Sequence, residues 1–98
     1  MHFMIITFFR NQDGAAVYRR VREEGRLIPE GMTFKSSWAT ADLTRSFQVF
    51  ECEDVTLIQR WVARWADLCG FEVVPVVTGA EASAALALDD PGPASAAA

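Results

Sequence analysis

Apolar positions along the chain follow two periods. From Phe3 to Phe9 they run almost unbroken, rich in β-branched and aromatic side chains, and the run ends in Arg10-Asn11-Gln12-Asp13-Gly14, so it predicts a strand followed by a turn. Val17, Val21 and Leu27 or Ile28, with Tyr18, then repeat at helical spacing over Gly14 to Ile28. Asp13 is placed to cap that helix, Gly25 weakens its end, and Pro29-Glu30-Gly31 stops it. Met32 to Thr40 and Ser46 to Cys52 predict a second and a third strand, joined by the short polar link Ala41-Asp42-Leu43-Thr44-Arg45, which suits a hairpin. A second helix starts at Asp54 or Thr56, and Leu57, Ile58, Trp61, Val62, Trp65 and Leu68 form its core-facing stripe. Gly70 stands where a helix C-terminal glycine belongs. Phe71 to Thr78 predicts a fourth strand; Pro75 lacks an N–H donor, which places this strand at a sheet edge or leaves it partly paired. Ala80 to Leu88 adds one or two further helical turns.

The order β-α-β-β-α-β predicts an α+β domain of ferredoxin-like topology: a four-stranded antiparallel sheet with both helices on one face, reached by right-handed crossovers. The other face is left bare, and its strands are too hydrophobic for water. The 98 residues suffice for one domain, set at 1–88, followed by an Ala/Pro-rich tail at 89–98 that is expected to be disordered. A chain of this length buries only about 60–65% of the surface its unfolded form exposes. With 51% hydrophobic residues and three Trp, it carries more apolar surface than a short monomer hides. A second copy covering the bare face answers both points. Two sheets packed face to face then make a dimeric α+β barrel whose interior can hold a small ligand.

The net charge of -4, with no basic tract, argues against nucleic-acid binding, which draws on phosphate neutralisation. Arg19, Arg20, Arg22 and Arg26 lie among Glu23 and Glu24 and read as a solvated helix face. The first ten residues are too short to span a membrane and lack both a basic region and a small-residue cleavage site, so a cytoplasmic protein is expected, with Cys52 and Cys69 as free thiols. Two Cys and one His, far apart, form no zinc pattern, and there is neither a nucleophile elbow nor a phosphate loop. No metal and no cofactor is expected.

Five stretches carry a resemblance: Pro29-Glu30-Gly31, Ser37-Trp38, Phe47-Gln48-Val49-Phe50-Glu51, Trp61-Val62-Ala63-Arg64-Trp65-Ala66-Asp67-Leu68 and Phe71-Glu72-Val73-Val74-Pro75-Val76. Together they resemble the small bacterial domain-of-unknown-function family 3303, over most of residues 3 to 85 and most specifically from Trp61 to Val76. The resemblance implies a branch of the dimeric α+β barrel superfamily. That superfamily includes cofactor-free monooxygenases, polyketide cyclases, muconolactone-isomerase-like enzymes, haem-handling proteins and stress proteins without known catalysis. Fold alone does not choose among these. Some relatives carry His on the first strand and after the second-strand Trp. The matching positions here are Met4 and Ala39, which removes any metal or acid–base role built on those histidines.

Strand alternation divides each strand between two faces. In the fourth strand Phe71, Val73 and Val77 are assigned to the helices, and Glu72, Val74, Val76 and Thr78 to the barrel. In the third, Phe47 and Val49 fit the helix side, leaving Ser46, Gln48, Phe50 and Cys52 for the barrel. In the first, the barrel set is His2, Met4, Ile6 and Phe8. In the second it is either Lys35, Ser37 and Ala39 or Phe34, Ser36 and Trp38, and the pattern does not settle which. Gln48 is the most informative: a mid-strand amide must find partners or lose about 1–3 kcal/mol, so it either orients a ligand or bonds a neighbouring backbone or its dimer mate. Trp38 lines the pocket or anchors an interface, whereas Trp61 and Trp65 lie on the helix core stripe and pack. His2 has no evident partner and reads as exposed or packed rather than as a base. Glu51 and Asp54 favour the second helix dipole, Glu72 reads as an exposed edge carboxylate, and Cys52 as a packed thiol.

These positions predict a homodimer that binds a small hydrophobic or aromatic molecule, as a binder or as a cofactor-independent enzyme of cyclase, isomerase or monooxygenase type. Met4, Ile6, Phe8, Phe50 and Val74 would form the walls, Trp38 would line them, and Gln48 with Ser37 or Lys35 would orient a polar atom. The alternative is a non-catalytic structural or interaction protein whose seven Phe and three Trp fill the barrel.

Overall fold

A computed structural model of the chain describes residues 1–90; of the tail expected at 89–98, the part from 91 onward lies outside the described residues. Strand β1 (His2–Phe9) leads through a short 3₁₀ turn (Arg10–Gln12) into helix α1 (Gly14–Glu24). Strands β2 (Thr33–Ala39) and β3 (Arg45–Glu51) follow, then helix α2 (Thr56–Trp65), strand β4 (Cys69–Val76) and helix α3 (Gly79–Ala87). The strands form one antiparallel sheet in the order β2-β3-β1-β4, the ferredoxin-like order, with β2 and β4 at the edges. Pro75 thus sits on an edge strand, as its missing donor requires.

Local chemistry sets the boundaries. Asp13 caps α1, its Oδ1 accepting from the Ala16 amide at 3.1 Å. The helix stops at Glu24, four residues short of Ile28, because Gly25 takes a φ of +77° and turns the chain out of the helix. Asp54 plays the corresponding part before α2, its Oδ1 accepting from the Thr56 amide at 2.9 Å. Gly70 does not end α2 as expected: α2 closes at Trp65 and Gly70 already lies in β4. α3 is longer than one or two turns and begins with a reciprocal cap between Thr78 and Glu81.

α1 and α2 cover one face of the sheet. Phe3, Ile5 and Phe9 of β1, Phe50 of β3 and Cys69 of β4 are buried there against Val17, Ile58, Trp61 and Trp65. The rings are in direct contact, Phe50 to Trp61 at 5.0 Å and Trp61 to Phe71 at 5.4 Å between centroids. The segment after α1 is strapped down by α2: the Trp61 and Trp65 indoles both donate to the Arg26 carbonyl, at 2.9 and 3.0 Å, and Arg64 Nη1 donates to the Leu27 carbonyl at 2.7 Å. Two arginines expected on a solvated face are structural instead. Arg20 grips the Asp67 carboxylate through both terminal nitrogens, and the Arg26 guanidinium stacks 4.0 Å from the Phe34 ring centre.

Neither α1 nor α2 covers the opposite face. Pairing fixes which residues it shows. His2, Met4, Ile6 and Phe8 of β1 stand level with Val76, Val74, Glu72 and Gly70 of β4 and with Glu51, Val49, Phe47 and Arg45 of β3. β2 completes the face irregularly. Phe34 pairs with Phe50 but Ser36 pairs with Val49, so Lys35 and Ser36 together oppose one residue, a β-bulge. Neither strict alternation for the second strand therefore holds. Before the bulge Phe34 turns to the helices, and after it Ser37 and Ala39 do; Lys35, Ser36 and Trp38 share the open face.

Candidate functional site

The open face has an apolar centre and charged ends. Met4, Ile6, Phe47, Val49, Val74 and Val76 are half-buried against one another, whereas Phe8 and Trp38 stand 43% and 63% exposed. These are large rings left in water by the single chain. Arg45, stacked 5.2 Å from the Phe47 ring centre, and Glu72 lie toward one end. At the other end His2, Glu51 and Lys35 meet. The Glu51 carboxylate oxygen Oε2 lies 3.3 Å from His2 Nε2 and 3.1 Å from Lys35 Nζ. Lys35, by hydrogen bond and then by charge, holds the Glu51 carboxyl below the usual carboxylate range, with a smaller contribution from His2. Beside this corner a groove of about 330 Å³ is lined by His2, Met4, Val49, Val76, Val77 and Thr78.

Of the candidates named from the sequence, the structure brings Met4, Phe8, Val74, Trp38 and Lys35 onto this one face. Gln48, Phe50 and Ser37 belong to the other side. Gln48 pairs with fully buried Ile5, and Phe50 with buried Phe3, so both point into the helix layer; Ser37 pairs with Gln48 on the edge strand and is exposed. Ser46 and Cys52, also assigned to the barrel, are buried, Ser46 being paired with buried Thr7 on the helix side. The apolar set of β3 misled because both of its faces carry rings: Phe47 on one, Phe50 on the other.

The structure gives Gln48 a different role. Its Nε2 lies 3.5 Å from Ser46 Oγ, while its Oε1 and Thr7 Oγ1 have no protein partner although both are buried. They border one interior cavity of about 20 Å³, beneath Val17, Val21, Trp61 and Trp65. That is room for about one water molecule and too little for a substrate.

His2 and Glu51 are the residues that sequence reasoning undervalued. His2 is half-buried on a paired strand, and Glu51 belongs to the sheet rather than to the start of α2. The signal was the antiparallel pairing itself, since the first residue of β1 meets the last residue of β3. Glu72 is exposed as expected, and Cys52 and Cys69 are buried free thiols. Among the described residues no group of three or more His, Cys, Asp or Glu is placed to hold a metal ion, and no helix is long and apolar enough to cross a membrane.

The model of the family described as Domain of unknown function (DUF3303) matches residues 1–88. No curated protein and no solved structure matches the chain.

Proposed function

Since the chain belongs to the DUF3303 family, whose description assigns no activity, we propose a function from the site itself: the protein binds a small apolar or aromatic molecule between the open sheet faces of two copies. The observation that carries this reading is the open face, apolar at its centre, which leaves Phe8 and Trp38 43% and 63% exposed and holds, at its His2 end, a groove of about 330 Å³. Small-molecule sites have that composition and that order of volume, ~300–1,000 Å³. A second copy removes the exposed rings from water and turns an open groove into an enclosed one. Met4, Phe8, Val74 and Trp38 serve as walls, and Lys35 supplies a charged group at the margin. Such a site acts on its ligand by positioning it and by stabilising developing charge, the working mode of a cofactor-independent cyclase, isomerase or monooxygenase.

The bulk of Phe8, Phe47 and Trp38 supports a second reading, in which two faces interlock and leave no room, as in a structural interaction module. Native mass spectrometry before and after denaturation separates the two. A dimer that carries an extra small mass supports the binding reading. A bare dimer that also fails to take up 4-nitrotoluene supports the interlocked one. A monomer at working concentration overturns both.

A further inference from the structure

We infer that His2, Glu51 and Lys35 form the ionic corner of this face and that its ligand is an aromatic molecule bearing an acidic hydroxyl group, whose proton His2 accepts while Lys35 faces the oxyanion left behind. The inference rests on the binding reading above and adds the ligand class and the residues that recognise it.

Two features separate this cluster from an ordinary surface ion pair. The first is its place. The Arg20–Asp67 pair, by contrast, ties α1 to the segment after α2 across the helix layer. His2, Glu51 and Lys35 lie on three strands already laddered by backbone hydrogen bonds, so the sheet does not need them. Half-exposed pairs of this kind add only about 0–1 kcal/mol to stability. The second is its setting. The side chains of His2, Glu51 and Lys35 are 35%, 39% and 45% exposed, and His2 itself lines the apolar groove. The groove therefore has one polar corner and apolar walls, the arrangement that fixes the orientation of an aromatic ring with a single polar substituent.

The roles follow from the bonding. Glu51 Oε2 lies 3.3 Å from His2 Nε2, so the neutral ring in this proposal carries its proton on Nε2 and keeps Nδ1 as the acceptor atom. When the ligand's O–H bond breaks, its electron pair stays on oxygen and the proton ends on Nδ1. Glu51 then stabilises the imidazolium, and the Lys35 ammonium stabilises the oxyanion. No oxidant or cofactor enters this step. The charged groups around His2 are Glu51 of β3, Lys35 of β2, Glu81 of α3 and the chain's amino group, the last two registering on the same local field.

The test uses 4-nitrophenol, whose anion absorbs visible light, and 4-nitrotoluene, its neutral counterpart. With the full-length dimer in excess, the ionisation midpoint of bound 4-nitrophenol is expected at least about one pH unit below that of the free probe, a tenfold change in its acidity. Lys35→Met and His2→Gln should each lose most of that shift while keeping the parent's circular dichroism spectrum and oligomer mass, which shows that the fold and the face are intact. A bound probe with an unshifted midpoint, or a shift that survives both substitutions, overturns the corner and leaves the binding face standing. A parent protein that binds neither probe overturns the binding face, and the corner with it.

Discussion

Thr7 Oγ1 and Gln48 Oε1, buried at the edge of one cavity without protein partners, mark where a single side chain decides stability. A buried hydroxyl left unbonded costs about 1–3 kcal/mol. Thr7→Val keeps the branched shape and removes the hydroxyl, so urea unfolding is expected to show a gain of up to about 1 kcal/mol; a loss of that size would mean the hydroxyl is bonded in solution. Burial also governs Cys69, whose thiol it pushes up to about 11. Iodoacetamide at neutral pH is therefore expected to label Cys69 only after denaturation. The sign for stability is that of a raised acid: the folded chain prefers the neutral thiol, so the contribution is complete below the ordinary value of 9.0 and is lost as pH rises through about 11. That Gln48 needed partners was legible in the sequence, because an amide in an apolar strand always does. Its direction was not, because Phe47 and Phe50 are equally apolar on the two faces of β3.

At the scale of elements, the strap after α1 is where α2 does more than fill the core. Its Trp61 and Trp65 indoles share the Arg26 carbonyl, and Leu27 is held at a φ of +59°, a region that side-chain-bearing residues seldom adopt. Trp65→Phe keeps an aromatic ring and deletes one donor. It is expected to lower unfolding stability by about 1–2 kcal/mol and to speed amide hydrogen exchange in residues 25–28; exchange unchanged there would show that the strap is held by other contacts. Most elements were readable from period and punctuation, and the Trp61 and Trp65 stripe faced the core as predicted. What escaped had local causes. Gly25 ended α1 early through its positive φ, Gly70 was taken up by β4, and the bulge at Lys35 and Ser36 broke the alternation by which faces are read.

For the whole molecule, the decisive quantity is the open face. Ile6→Lys places a charge at its centre on a side chain that is only half-buried in the single chain, so the fold is expected to survive while size-exclusion chromatography shows a monomer in place of the dimer proposed for the parent. A persistent dimer would mean that two copies meet elsewhere. Acid acts more diffusely. Asp67 is held low by Arg20, Glu51 by Lys35, Asp42 by Thr40 and Thr44, and Asp54 by Thr56. Each depressed carboxyl contributes fully above its unfolded value near about 4 and loses that contribution as pH falls through the lower folded value. Thermal melting is therefore expected to be flat from neutral pH down to about 5 and to fall steeply below about 4, and a melting temperature unchanged there would remove these contacts from the account. The bulge, finally, constrains how such chains can diverge. Removing one residue from most positions of a strand would slip its pairing and turn every later side chain to the wrong face. Removing Ser36 would only restore one-to-one pairing, with Trp38 still opposite Phe47. Evolution thus has one place within this sheet where chain length can change by a single residue, and an alignment of relatives should carry its in-strand gap there.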